Sequence, residues 1–152
     1  MKKMYLKSCL LVFIMLLQFS VFAQNQPKEM VEKFFKEYEK QGSSVAIDNL
    51  YETNEWMRRA TDAITKLKNQ LEGLNMDYVG NYNGYELIVE KQLADSYLLI
   101  SYLVKFDRQP VRFTFQFYKP KDKWLIYSFQ FDGDIDDEME ESAKLYYLSL
   151  YK

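Results

Sequence analysis

The stretch from Tyr97 to Phe131 constrains the fold most, because it contains three aromatic-rich apolar runs separated by two short polar turns. The first run, Tyr97 to Phe106, is apolar on both faces, as in a strand that is covered on both sides. The second run begins at Val111 and the third covers Trp124 to Phe131, and both have the alternation of strands. With an earlier run from Tyr85 to Gln92, the pattern predicts a four-stranded antiparallel meander.

The alternation also predicts which side chains share a face of the sheet. The apolar face of the third strand is expected to hold Val111, Phe113, Phe115 and Phe117, and its other face Arg112, Thr114, Gln116 and Tyr118. The fourth strand is expected to place on one face Leu125, Tyr127, Phe129 and Phe131, and on the other Trp124, Ile126, Ser128 and Gln130. The glycines and asparagines between Asp77 and Gly84 predict an irregular or bulged entry into the first strand.

The segment before the sheet predicts three helices. The first opens at Lys28 and stops at Gly42, and its apolar stripe is Met30, Val31, Phe34, Phe35 and Tyr38. Its solvent face is expected to carry Glu32, Lys33, Lys36, Glu37, Glu39 and Lys40. Ser43 and Ser44 are the expected caps of a second helix, whose inward residues are Val45, Ile47, Leu50 and Tyr51.

The third helix has the clearest periodicity in the chain. It begins at Asn54 and its inward stripe is Trp56, Ala60, Ala63, Ile64, Leu67, Leu71 and Leu74. After the sheet, helical spacing resumes at Ile135 and continues through Met139, Ala143, Tyr146 and Leu150. Helices before a meander, with one helix after it, indicate an α+β fold.

The first 23 residues have the pattern of an export signal, with a positive start, an apolar run from Leu10 to Phe22 and a small residue, Ala23, before the expected cleavage point. The apolar run is shorter than the roughly 20 residues that a membrane-spanning helix needs. We therefore expect an exported protein, periplasmic or extracellular, with no stable membrane span after cleavage. Its mature part, residues 24–152, is expected to be a single domain.

Composition narrows the classes of partner and chemistry. Cleavage would remove Lys2, Lys3 and Lys7, so 17 of the 20 basic residues would remain against 22 acidic ones, a net charge of about −5 that disfavours nucleic acid. Histidine is absent, and the one cysteine, Cys9, lies in the expected signal. Ser-His-Asp and Cys-His catalysis are thereby excluded, as are the usual zinc and copper sites. We expect neither a metal nor another cofactor.

Two charged clusters have competing interpretations. The acidic run that begins at Asp132 suggests a calcium loop, but its sixth and twelfth positions, which need Gly and Glu, are Asp137 and Ala143. Capping of the last helix by Asp134, with acidic residues in the first turn, explains the run instead. A second cluster would surround an anionic ligand only if the fold brings together Arg58, Arg59, Arg108 and Arg112. Otherwise these arginines are solvated or ion-paired.

Three segments resemble a known group of proteins: Gly84-Tyr85-Glu86-Leu87, the stretch from Tyr102 to Pro110, and Phe117-Tyr118-Lys119-Pro120. With three helices before the sheet, the chain resembles small exported bacterial proteins of the nuclear transport factor 2 and ketosteroid isomerase superfamily. The resemblance implies a cone, in which the N-terminal helices pack in the concave face of a strongly curved antiparallel sheet, followed by a C-terminal helix. Its motifs are turns and strand faces, so it implies a fold and no activity.

A cone of this kind has a hollow, and tyrosine suits its wall because the ring is apolar and the hydroxyl is polar. The side chains expected to line it are Trp56, Tyr85, Tyr102, Arg112, Gln116 and Tyr127. We expect a non-enzymatic domain that binds a small apolar ligand or an envelope protein through this pocket or through a face of the sheet. The tyrosines equally suit an ordinary core or a homodimer through the sheet.

The alternative function is an acid–base enzyme of the isomerase, cyclase or dehydratase type. Such an enzyme would use a buried Asp or Glu within reach of a tyrosine hydroxyl. The acidic residues that enter this alternative are Asp77, Glu86, Asp95 and Asp107.

Overall fold

The computed structural model describes residues 27–150, so the expected signal in residues 1–23 lies outside the described part of the chain. The described residues form an α+β fold with six helices and one sheet of four strands. The helices are α1 (Pro27–Gln41), α2 (Ser43–Tyr51), α3 (Glu55–Arg58), α4 (Thr61–Glu72), α5 (Met76–Val79) and α6 (Ile135–Ser149). The strands are β1 (Tyr82–Leu93), β2 (Tyr97–Phe106), β3 (Pro110–Tyr118) and β4 (Leu125–Asp132).

The sheet is an open meander in the order β1-β2-β3-β4, with every neighbouring pair antiparallel. The predicted bounds of β2 are confirmed. β1 begins at Tyr82 rather than Tyr85, and its register shifts between these two residues, as the predicted irregular entry requires. Gly84 lies inside that shift with a φ of 91°, a backbone conformation that favours glycine. The short helix α5 was not expected from the sequence.

One face of the sheet, the core face, carries the aromatic interior. The predicted apolar face of β3 is confirmed, since Phe113, Phe115 and Phe117 are each 0% exposed. The ring of Phe34, on α1, lies 5.1 Å from the ring of Phe115 and 5.0 Å from that of Phe129. These residues belong to one cluster of buried side chains that also includes residues of α2 and β2.

The predicted face assignment of β4 is correct from Ser128 onward and wrong before that, from Leu125 to a bulge at Tyr127. Ile126 pairs with Phe117 and Ser128 pairs with Gln116, so Tyr127 has no partner across β3. Such an extra residue changes the phase of the alternation. As a result Ile126 is buried on the core face, where the sequence pattern assigns Tyr127, and Tyr127 is 48% exposed.

The prediction of a single long third helix is also wrong, because the chain forms two helices, α3 and α4, with a break at Ala60. The side chain of Asn54 accepts hydrogen bonds from the backbone N–H groups of Trp56 and Met57, and it donates one to the Ile126 carbonyl at 2.6 Å. This bond holds the start of α3 at β4, a tertiary contact that helical spacing does not report. Trp56 is consequently 75% exposed and not inward.

Two predicted caps are wrong as well. The N-cap of α2 is Gly42, with Ser43 as the first helical residue. Asp134 does occupy the N-cap position of α6, but its side chain makes no capping hydrogen bond. Instead, Asp132 Oδ1 accepts from the Asp134 backbone N–H at 3.0 Å. The acidic first turn of α6 is present as expected.

Candidate functional site

The second face of the sheet, which we call the open face, has an apolar end. The strand register places Leu93, Tyr97, Tyr118 and Leu125 in one row across all four strands. The bulge adds Tyr127, whose ring centroid lies 6.0 Å from that of Tyr97. We define the apolar patch as Leu93, Tyr97, Leu99, Tyr118, Leu125 and Tyr127.

The apolar patch is accessible to solvent at several points. Leu93 is 71% exposed, Tyr118 44% and Tyr127 48%. The Tyr97 hydroxyl donates a hydrogen bond to Gln116 Oε1 at 3.0 Å, and burial together with nearby Tyr127 raises the pKa of Tyr97. The patch therefore presents rings and aliphatic groups, a composition typical of binding surfaces in soluble proteins.

The opposite end of the open face is polar and internally paired. Arg112 donates hydrogen bonds to Asp132 and Glu138, the latter through Nη1 at 2.7 Å. Burial lowers the pKa of Arg112, but the two carboxylates more than offset this effect and the pKa is raised. Because Glu138 lies in the first turn of α6, Arg112 links this helix to β3. Its positive charge is already balanced by two carboxylates.

Two of the other three arginines of the proposed cluster, Arg59 and Arg108, have separate partners. Arg59 pairs with Glu55 at 2.8 Å, and Arg108 Nη1 donates to the Tyr78 carbonyl at 3.1 Å. With Arg112 paired on the open face, these side chains support the ion-paired interpretation over a shared anion site.

The six side chains expected to line a pocket fall into three places. Tyr85 and Tyr102 lie together on the core side, with ring centroids 5.4 Å apart. Arg112, Gln116 and Tyr127 lie on the open face, as the register requires. Trp56 is exposed on α3, with the Arg59 guanidinium 4.7 Å from its ring. The structure thus divides the six side chains between the two faces of the sheet and α3, and it does not bring the whole set together.

The space beside Tyr85 and Tyr102 is occupied by a phenylalanine ring. Phe35 stacks on Tyr85 with a centroid distance of 3.7 Å and meets the edge of Tyr102 at 5.4 Å. Burial raises the pKa of Tyr102 to about 12, with smaller contributions from neighbouring Tyr85, Glu90 and Glu32. At neutral pH this phenol is therefore protonated, and its ring packs against Phe35 and Tyr85.

The four carboxylates considered for acid–base chemistry are all exposed: Asp77, Glu86, Asp95 and Asp107. Asp107 accepts hydrogen bonds from the Asn83 amide, the Asn81 backbone and the Asn81 amide, and these bonds lower its pKa. Such a carboxylate holds the entry of β1 against the β2–β3 turn and is a weak base. Glu86 pairs with Lys105 at 2.7 Å.

One buried carboxylate was missed by the sequence pattern. Glu37 was assigned to the solvent face of α1, but it is only 8% exposed. It follows Phe34 by three positions, so it lies at the edge of the apolar stripe, and this spacing was the available signal. Its Oε1 atom accepts a hydrogen bond from Asn49 Nδ2 at 2.9 Å.

Comparison of the chain with protein-family models, with curated proteins and with solved structures gave no significant match. Within residues 27–150, no helix combines the length and hydrophobicity needed to cross a membrane. In the same part of the chain, no group of three or more Cys, Asp or Glu side chains is arranged to hold a metal ion.

Proposed function

We propose that this protein is an exported, non-enzymatic binding domain that engages another envelope protein through the apolar patch of its open face. The observation that carries the proposal is the row of Leu93, Tyr97, Tyr118 and Leu125, which continues across all four strands and leaves two of these side chains more than 40% exposed. Aromatic residues on an exposed surface are typical anchors of protein interfaces.

A protein partner has more support than a small apolar ligand in a cone. The ring of Phe35 fills the space beside Tyr85 and Tyr102, where a ligand in the hollow would lie. The open face is a broad sheet surface, and such surfaces suit proteins better than small molecules, which prefer concave sites. The acid–base alternative has less support, because its four candidate carboxylates are exposed.

We also propose a specific fold for the domain, a cone, and export from the cytoplasm as its destination. We take the sheet to be the strongly curved layer of a cone of the nuclear transport factor 2 and ketosteroid isomerase type, with α1, α2 and α4 in its hollow. The contacts of Phe34 with Phe115 and Phe129 support this arrangement. Export rests on the positive, apolar and small-residue pattern of the first 23 residues.

The proposal is tested by cross-linking in cells that produce the protein. A photoreactive phenylalanine analogue replaces Tyr127 in the patch, or Tyr78 on α5 as a control of similar exposure, 53%. We expect irradiation to give one discrete adduct from position 127, with a different protein identified by mass spectrometry, and none from position 78.

Several other results would contradict parts of this proposal. An adduct of two copies of the chain would make the homodimer the function of the patch. Equal labelling from positions 127 and 78, or none from either, would remove the patch as an interface. A periplasmic or extracellular fraction that lacks the protein would contradict export.

A further inference from the structure

Glu37 is a buried carboxylate with an incomplete set of hydrogen bonds. Asn49 satisfies Oε1, and Lys33 Nζ stands 3.7 Å from the same oxygen, beyond hydrogen-bond distance. Oε2 is buried and has no hydrogen-bond partner among the described residues. A buried charged oxygen without a donor is unfavourable, so this site has a specific need for an additional N–H or O–H group.

A pocket of about 260 Å³ lies at this carboxylate, between α1 and α2. Its polar lining includes Glu29, Lys33, Glu37 and Asn49, and its apolar lining includes Phe34 and Leu50. The Asn49 amide is already engaged with Glu37. The pocket therefore combines an acceptor that needs a donor, a second carboxylate, and apolar surface from a ring and an aliphatic side chain.

We infer that this pocket binds a small primary ammonium compound with a short apolar chain, and that Glu37 accepts the ammonium N–H. A positively charged donor fits because Glu29 and Glu37 outnumber Lys33 in the lining, and charge-assisted hydrogen bonds are the stronger kind. The apolar chain would lie against Phe34 and Leu50. This site is separate from the apolar patch, so the two proposals stand or fail independently.

Lys33 is the internal competitor of such a ligand. Its side chain is 62% exposed and is close to Glu37 without reaching hydrogen-bond distance. An incoming ammonium group therefore displaces only a weak ion pair. Since Oε2 is shielded from solvent, the proposed contact requires a partial rotation of the Glu37 carboxylate about its terminal side-chain torsion, which is broad and soft.

The probe is n-butylamine, which is an ammonium ion at neutral pH, with n-butanol as its neutral match and butyrate as the anion. The readout is the side-chain amide signal of Asn49 in nitrogen–proton NMR spectra, because this amide donates to Glu37. We expect a saturable shift with a Kd on the order of 1 mM for n-butylammonium. n-Butanol should bind at least about tenfold more weakly, and butyrate should give no saturable shift.

Three variants of α1 decide the assignment. Glu37→Gln keeps the size of the side chain and should weaken binding about tenfold or more. Glu32→Gln, the same change on the exposed side of the helix, should leave it unchanged. Lys33→Met removes the competitor and should tighten binding by roughly twofold to fivefold.

The inference is overturned if ethyl-, butyl- and hexylammonium all fail to give a saturable shift with the wild-type protein. Equal binding by Glu37→Gln and Glu32→Gln would also overturn it, as would weaker binding by Lys33→Met. If Glu37→Gln does not fold, the tighter binding expected of Lys33→Met and the unchanged binding expected of Glu32→Gln still test the site.

Discussion

Tyr85 stacks on Phe35, with ring centroids 3.7 Å apart and ring planes 12° from parallel. Phe35 lies on α1 and Tyr85 on β1, so the pair joins the first described helix to an edge strand. Phe35 also contacts Tyr102, Phe113 and Phe115 within 6.0 Å. This ring is therefore the centre of the packing that occupies the core face beside Tyr85.

Truncation of Phe35 should be among the most destabilising changes in the chain. Phe35→Ala removes a ring that is 1% exposed, and we expect the free energy of unfolding to fall by about 3–5 kcal/mol. Trp56→Ala removes a larger side chain that is 75% exposed, and it should cost about 0.5 kcal/mol or less. Urea denaturation measures both values. Similar losses for the two variants would contradict the filled core face.

Gly80 is restricted by backbone conformation and by a close neighbour. Its φ is 84°, and an added Cβ would lie 2.6 Å from the Asp107 Cβ. Gly84 has a φ of 91° but no atom within 4 Å, and Gly133 has neither restriction. We expect Gly84→Ala to lower the free energy of unfolding by about 1–2 kcal/mol because of its backbone conformation alone. Gly80→Ala should lower it further, because its Cβ also meets Asp107.

Thermal unfolding of the three glycine variants measures their order of destabilisation directly. The Tm should fall least for Gly133→Ala, further for Gly84→Ala and furthest for Gly80→Ala. If Gly80→Ala melts with or above Gly84→Ala, the packing of Asp107 against the entry of β1 is not as described.

The buried phenols predict a loss of stability in alkali. Burial raises the pKa of Tyr38 to about 12, and burial together with nearby Tyr85 and two glutamates raises that of Tyr102 to about 12. Below about pH 10 these groups are protonated in both the folded and the unfolded chain, so they add no pH dependence. Between about pH 10 and 12 the unfolded chain loses these protons first, and stability falls as pH rises.

Each such phenol contributes at most about 1.4 kcal/mol per pH unit to this fall. Urea denaturation across the alkaline range should therefore show a shallower fall for Tyr102→Phe than for the wild type. An unchanged slope would mean that Tyr102 is accessible to solvent, contrary to its 9% exposure.

The regular part of the sheet could be predicted because it depends on local alternation. β2 has its predicted bounds, and the apolar face of β3 is the predicted one. The error in β4 arose because a bulge depends on pairing with the neighbouring strand, and nothing in the composition around Tyr127 marks it. One extra residue was enough to exchange the faces of Ile126 and Tyr127.

The sites were harder to predict than the elements. Trp56 follows the spacing of an inward stripe, yet the bond between Asn54 and Ile126 fixes α3 where this ring is exposed. Glu37 was assigned outward because it is charged, although its position beside Phe34 on the helix favours burial. For Trp56 a tertiary contact decided the outcome, and single-sequence periodicity does not contain that information. For Glu37 the helical spacing did contain the signal, but the charge of the side chain was given more weight.

Binding of a partner through the apolar patch can be tested by the size of the native particle. Tyr118→Ser combined with Tyr127→Ser removes its exposed rings, and Met76→Ser combined with Tyr78→Ser is a control on α5 with comparable exposure, 69% and 53%. Extracts of producing cells are sedimented without cross-linking. We predict that the wild type and the control sediment in a complex larger than the 18.3 kDa chain, and that the patch variant sediments as a monomer. Sedimentation of all three at the same position would contradict the assignment of the open face as the binding surface.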